Sequence, residues 1–170
     1  MSDNSRIVFS VVILISLAAT PLAHGTTVQK LSFERLIGEA DLIVQGRIDE
    51  VKTRQARDRS FISTIVGVSV ERQFKGVEVS SITIEQPGGA VGDIVQGVPG
   101  SPQFAVGEHV ILFLQRRRGD AFEIVGGKQG KFITNIQPGT DKKLVEDFAH
   151  RTEALDTFLA RLTNTLKSGG

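Results

Sequence analysis

From residue 31 onward the spacing of apolar residues changes period several times, and each change marks an element. Phe33, Leu36, Ile37 and Ala40 recur three and four residues apart, which predicts a short helix. Ser32 stands at its N-cap position, and Leu31, just before the cap, is placed to pack on Leu36 as a hydrophobic staple. At Asp41 the period becomes two. In residues 41 to 53 the apolar set is Leu42, Val44 and Ile48, and then Val51 falls out of phase. A slip by one residue after the mid-strand Gly46 predicts a bulge or sharp bend, so that one long strand serves two sides of a barrel.

A charged segment follows at residues 54 to 60. Alternation returns from Phe61, with Ile62, Val66, Val68, Val70 and Phe74 on one face and Ser63, Ser69, Glu71 and Gln73 on the other, a long half-buried strand. Lys75-Gly76 supplies a turn, and Val79 to Gln86 is a third strand with Ile82 and Ile84 inward. In the fourth strand, Val110 to Leu114, both faces are apolar, which predicts a strand covered on both sides. Residues 116 to 120 read as a hairpin turn, Ala121 to Val125 returns, Gly126-Gly127 bends the chain, and Lys131 to Ile136 is a last strand. Residues 141 to 166 carry Leu144, Phe148, Leu155, Leu159, Leu162 and Leu166 at helical spacing, widened by Val145 and Phe158, which predicts a long amphipathic helix packed on the barrel.

Between the third and fourth strands, Pro87 to Pro102 hold five glycines and three prolines interleaved with Val91, Ile94, Val95 and Val98. Four branched aliphatics do not suit a flexible linker; the reading is a packed loop. Those aliphatics either plug one end of the barrel or form a surface that meets a partner, and the sequence leaves both open.

Composition narrows the compartment. Residues 1–25 have a charged start at Arg6, an apolar run from Ile7 to Ala19, and small residues at 23 and 25, and so read as a secretory signal peptide cleaved before Thr26. The apolar run is short of the roughly 20 residues a membrane span needs, so no span is expected after cleavage. Removing Arg6 and Asp3 leaves 19 basic and 18 acidic residues in the remaining 145, a charge of +1 that favours neither nucleic acid nor anionic membranes. Cysteine is absent, so an exported chain must stand on its core without disulfides. The expected organisation is a signal peptide (1–25), a β-barrel domain (26–138) and a C-terminal helix (139–170), in a periplasmic or extracellular setting.

From Glu39 to about Ile136 the chain resembles the netrin-like domain, the OB-type barrel of the tissue inhibitors of metalloproteinases. The matching pieces are Ala40-Asp41-Leu42-Ile43-Val44, Val70 through Phe74-Lys75-Gly76, Ile82-Thr83-Ile84, and Val106-Gly107-Glu108 before Val110-Ile111-Leu112. The pattern Gly88-Gly89, Val98-Pro99-Gly100, Phe104, Val106-Gly107-Glu108, Phe113-Leu114 is also similar to that of exported bacterial proteins without an assigned role. The resemblance implies a mainly β protein, a five- to six-stranded OB-like barrel with a short N-terminal helix and a long C-terminal one, and a habit of binding proteins. The inhibitors' mechanism needs an amino-terminal cysteine; this chain has Thr26 at the expected start and no cysteine, so that mechanism does not carry over.

Candidate chemistry is sparse. His109 is the one histidine expected within the barrel, with no ligand-spaced partners, so no metal or cofactor is expected. Nor does a serine, histidine and acid set assemble from strands whose neighbours are predictable. Residues 126–131 resemble a phosphate loop but have Val125 where glycine is needed and a strand where a helix should follow. Arg118-Gly119-Asp120 is a three-residue match to an adhesion motif inside a turn. Oligonucleotide binding wants a basic groove with stacking aromatics; Trp and Tyr are absent. The reading is a non-enzymatic, exported binding module that meets a protein or peptide through the 86–104 and 52–60 loops, with Asp93, Gln96, Arg54, Arg57 and Arg59 as contact residues. Two alternatives stand beside it: an envelope structural protein associating through the last helix, and a hydrolase with an unrecognised site.

Overall fold

The computed structural model describes residues 29–57, 60–117 and 121–169. The export signal read in residues 1–25 lies outside the described residues. Helix α1, Phe33–Glu39, starts at Ser32, whose Oγ accepts the Arg35 N–H at 3.2 Å, and buries Leu36 and Ile37. Strands β1 (Leu42–Gln55), β2 (Ile62–Lys75) and β3 (Ser81–Pro87) follow as an antiparallel meander. A small hairpin, β4 (Gly89–Val91) and β5 (Ile94–Gln96), forms a sheet of its own. The main sheet resumes with β6 (His109–Arg116), β7 (Ala121–Ile124), β8 (Lys131–Ile136), β9 (Lys143–Glu146) and β10 (Thr152–Ala154). Helix α2, Leu155–Ser168, ends the chain.

The pairings run β1-β2-β3-β7-β6, and β6 pairs in turn with β1, so these five strands form a circuit. One link in it is parallel, β3 with β7; the others are antiparallel. The first strand makes the circuit possible. It pairs with β2 along its length and with β6 through Leu42–Arg47, and its register with β2 shifts between Gln45 and Gly46 and again between Ile48 and Glu50. Gly46 sits at the tightest point, where a Cβ would lie 2.3 Å from the Ser69 carbonyl oxygen. The phase slip read from Val51 is this bulged segment; bulges bend the strand that carries them.

The far edge of β6 is shared, its C-terminal half pairing with β7 and its N-terminal half with β8, while a 3-10 turn at Gly127–Gly130 carries the chain between them. Strands β9 and β10 then extend the sheet beyond β8.

Two apolar cores result, one on each face of β6. Val110, Leu112 and Leu114 enter the cluster inside the circuit with Val44, Ile48 and Val66. Ile111 and Phe113 enter the other, with α1, Phe132, Val145, and Leu155, Phe158 and Leu162 of α2. All five β6 residues are fully buried, as the two-sided pattern requires. Phe74 departs from the face expected of it. It packs on the outer cluster, at the end of β2 where the register with β1 shifts between Ile43 and Val44.

The long helix read over residues 141–166 is corrected to a helix of 14 residues, Leu155–Ser168, preceded by β9 and β10. The cause is the Asp147 side chain. Its Oδ1 accepts the backbone N–H groups of Ala149 at 2.8 Å and Arg151 at 3.0 Å, and its Oδ2 accepts Arg151 Nε at 2.8 Å. An aspartate that satisfies nearby amides offers the backbone a turn in place of a helix. His150 completes that turn with a φ of 59°.

Candidate functional site

The segments singled out in the sequence meet at one end of the strand circuit. Strand β1 runs on to Gln55, so the charged segment expected as a 52–60 loop is strand as far as residue 55, and the Ala56 N–H donates to the Phe61 carbonyl at 2.9 Å. Beside it stands the β4–β5 hairpin. Gly92 and Asp93 form its two-residue turn between the paired Val91 and Ile94. Gly92 has a φ of 56° and Asp93 a negative one, the pattern of a type II′ turn, in which glycine takes the first central position.

The hairpin is fixed to β1 and β2 by short bonds. Thr53 Oγ1 donates to the Ala90 carbonyl at 2.7 Å, Thr64 Oγ1 to the Gly88 carbonyl at 2.7 Å, and Gly88 N–H to the Ile62 carbonyl at 2.8 Å. On the other strand of the hairpin, Gln96 Oε1 accepts the Ile62 N–H at 2.6 Å. Further on, Gln86 Nε2 donates to the Pro102 carbonyl at 2.9 Å. The exit of the loop is pinned by Lys131. Its ammonium, only 7 % exposed, pairs with Glu108 Oε2 at 2.7 Å, donates to the Gln103 carbonyl, and lies 4.6 Å from the Phe104 ring centre.

Under the hairpin lies a cavity of about 330 Å³ lined by β1, β2, both hairpin strands and residues 101 to 104. Its walls include Val51, Ala90, Val95, Val98 and Phe104, and among the described residues no charged side chain lines it. Gln86 borders it, and the Gln86 Oε1 atom is buried without a hydrogen-bond partner. Above the cavity the hairpin is apolar and exposed, Ile94 by 53 % and Val95 by 77 %, and Phe61, at the start of the neighbouring strand, by 51 %.

The proposed contact residues divide accordingly. Asp93 is exposed at the hairpin tip. Gln96 is half-buried and is a strut between the hairpin and β2 rather than a free contact. Arg54 is exposed and its guanidinium lies 3.4 Å from Glu85 on β3, and Arg57 is exposed in the turn. Arg59 lies outside the described residues, as does the Arg118-Gly119-Asp120 tripeptide. The plug reading fails for Ile94 and Val95, which face solvent, while Val98 is half-buried against the cavity. Two contributors were missed: the exposed Phe61, and the hairpin itself, whose signal was the Gly92-Asp93 pair flanked by Val91 and Ile94.

The other features carry structural roles. His109 Nδ1 lies 3.1 Å from Glu71 Oε1 at the start of β6. In the glycine-rich 126–131 segment, Gln129 is buried, accepts the Leu31 N–H at 2.8 Å and donates to the Gln29 carbonyl at 3.0 Å, fastening the segment that leads into α1. A second cavity of about 390 Å³ lies between that segment, the Asp147 turn and α2, and its two carboxylates are paired, Asp147 with Arg151 and Glu153 with Arg161. Among the described residues no three His, Asp or Glu side chains gather as a metal-binding group, and no helix is long and apolar enough to cross a membrane. No family model, curated protein or solved structure matches the chain.

Proposed function

We propose that this protein is an exported binding module, without catalytic activity of its own, that recognises a protein or peptide through the end of the barrel bearing the β4–β5 hairpin. The supporting observation is the contrast between the hairpin's base and its tip. Six hydrogen bonds and the Lys131–Glu108 ion pair hold the base and the flanking chain, while Ile94 and Val95 stand exposed above a cavity with no charged wall among the described residues. A loop fixed before it meets its partner loses little entropy on binding. Exposed aliphatics on such a loop mark interaction sites. The five-strand circuit supports the OB-type barrel reading, a Greek-key barrel that carries its function on strand faces and loops. The netrin-like resemblance belongs to the same proposal and supplies the expectation of a protein partner.

The apolar stripe of α2 bears on the scaffold alternative. Leu155, Phe158 and Leu162 are buried in the outer cluster, and Leu159 and Leu166 pack against it, so the stripe is covered within the chain. This favours the hairpin end as the contact surface.

The test is affinity capture from the native envelope or medium with three baits: the unaltered protein, an Ile94→Asp/Val95→Asp double variant, and Val77→Asp. Val77 is 74 % exposed in the turn after β2, at the opposite end of that strand from the hairpin. A protein held by the first and third baits and lost by the second supports the reading. Equal recovery on all three rejects it.

A further inference from the structure

Among the described residues strand β5 has one hydrogen-bonded neighbour, β4, and nothing pairs with its other edge. The pairing fixes which groups face outward. Val91 and Ile94 flank the two-residue turn and form a hydrogen-bonded pair, so the next pair, Ala90 with Val95, is of the non-hydrogen-bonded kind, with its amide groups directed away from the hairpin. The β4 side bears this out: the Ala90 carbonyl is taken by Thr53 Oγ1, and two residues back the Gly88 N–H and carbonyl are taken by Ile62 and Thr64. The mirror positions on the β5 side are Val95 and, two residues on, Gly97. None of the hydrogen bonds among the described residues uses their outward N–H or carbonyl groups.

Exposed edges in soluble proteins are blunted by charge, proline or a covering segment. This one is not: Ile94-Val95-Gln96-Gly97-Val98 contains no charged residue and no proline, and Val95 is 77 % exposed. The same residues, from Val95 to Val98, line the uncharged cavity beneath. An open edge beside a side-chain pocket is the arrangement used for strand addition, in which main-chain bonds give affinity and the pocket selects a side chain.

We infer that β5 receives an extended segment of the partner as an added strand, bonded to the Val95 and Gly97 amide groups, with one uncharged apolar or aromatic side chain of that segment in the 330 Å³ cavity. This rests on the hairpin end being the binding surface and deepens that reading. A peptide strand is the occupant because an edge three residues long offers a second copy of the chain far less than the ~1,200–2,000 Å² that a stable interface buries. Among the described residues the walls offer a lysine, arginine or carboxylate side chain no opposite charge, so burying one there costs more than burying an apolar side chain.

The test uses purified protein and fluorescently labelled, end-blocked heptapeptides of alternating Ser and Val with Phe, Leu, Lys or Glu at the centre. The Phe and Leu peptides bind, and the Lys and Glu peptides bind at least about tenfold more weakly, a factor equal to ~1.4 kcal/mol. N-methylation on alternate residues separates edge bonding from simple contact: one alternate set abolishes binding and the other leaves it. On the protein side, Val95→Pro removes an N–H that no bond among the described residues uses, and it weakens binding, whereas Val95→Thr retains it; a thermal melt of each variant reports the fold.

Failure of the whole panel to bind up to millimolar concentration overturns the inference, as does equal binding by both methylated sets. A dimer abolished by Val95→Pro overturns it in favour of a second copy. If Ile94→Asp/Val95→Asp loses the captured partner while Val95→Pro and N-methylation change nothing, the surface reading stands and strand addition falls.

Discussion

Gln96→Ala isolates the bond that holds the exposed hairpin to β2. The Ile62 N–H that Gln96 Oε1 accepts at 2.6 Å belongs to a residue only 2 % exposed. Truncation therefore leaves a backbone donor without its partner, and an unsatisfied buried donor costs about 1–3 kcal/mol where a typical bond contributes about 1. Partial entry of water through the half-open site lowers the figure, so about 1.5 kcal/mol is the working value. With a urea slope of about 1.5 kcal/mol/M, the midpoint falls by about 1 M at an unchanged slope. Gln96→Glu keeps an acceptor in reach of Ile62 and recovers most of the loss at neutral pH. Hydrogen exchange adds a local readout, since the Ile62 amide loses protection in the alanine variant before the β6 amides do. A midpoint within about 0.2 M of the parent, with Ile62 still protected, would refute the strut and return Gln96 to the free contact residues.

Asp93→Ala and Val95→Ala, both on the exposed hairpin, change stability by less than about 0.5 kcal/mol in denaturant melts. Phe158→Ala removes a fully buried ring whose centre lies 4.9 Å from that of Phe132 and 5.4 Å from that of Phe33, and costs about 3–5 kcal/mol in the same assay. Gly46→Ala forces a Cβ to within 2.3 Å of the Ser69 carbonyl and lowers stability by roughly 2 kcal/mol or more, with loss of the β1–β2 register visible in amide exchange. For Asp147, burial raises the carboxyl pKa, but the hydrogen bonds from the Arg151 side chain and from the Arg151 and Ala149 amides outweigh it and hold the value below 3.8. A depressed folded-state pKa gives stability that is full above the unfolded value and lost as pH falls through the folded one. The melting-temperature gap between the parent and Asp147→Asn is thus constant near pH 6 and narrows below about pH 4, a window a pH series of thermal melts covers.

What was legible in the sequence was whatever depends on period. The two faces of residues 110–114 separated into two cores because alternation alone assigns them. The slip after Gly46 became a register shift because a bulge is the way a strand can change phase and stay paired. The helix over 141–166 was misread because Leu144, Phe148 and Leu155 satisfy a helical spacing by accident: Val145 enters the outer core from a strand, and the turn is decided by bonds from one aspartate, which leave no periodic trace. At the site, the two segments were recognisable as loops. Their meeting was not, because it depends on Thr53 reaching Ala90 and Gln96 reaching Ile62, contacts between residues 37 and 34 positions apart.

Those contacts also explain why a glycine-rich loop can hold one shape. Five glycines between Pro87 and Pro102 raise the entropy of the unfolded chain, so ordering the loop is costly and needs bonds that act together. Thr53, Thr64 and Gln96 fasten the hairpin, Gln86 fastens Pro102, and Lys131 fastens Gln103 while its charge is balanced by Glu108. Each bond shortens the span the next has to close, and closing a shorter loop costs less entropy. The arrangement is not complete. Gln86 presents its Nε2 to the Pro102 carbonyl, which fixes the orientation of the amide and leaves Oε1 buried without a partner, a defect of about 1–3 kcal/mol. That defect lies at the base of the loop whose tip is apolar and exposed, the surface we propose for binding.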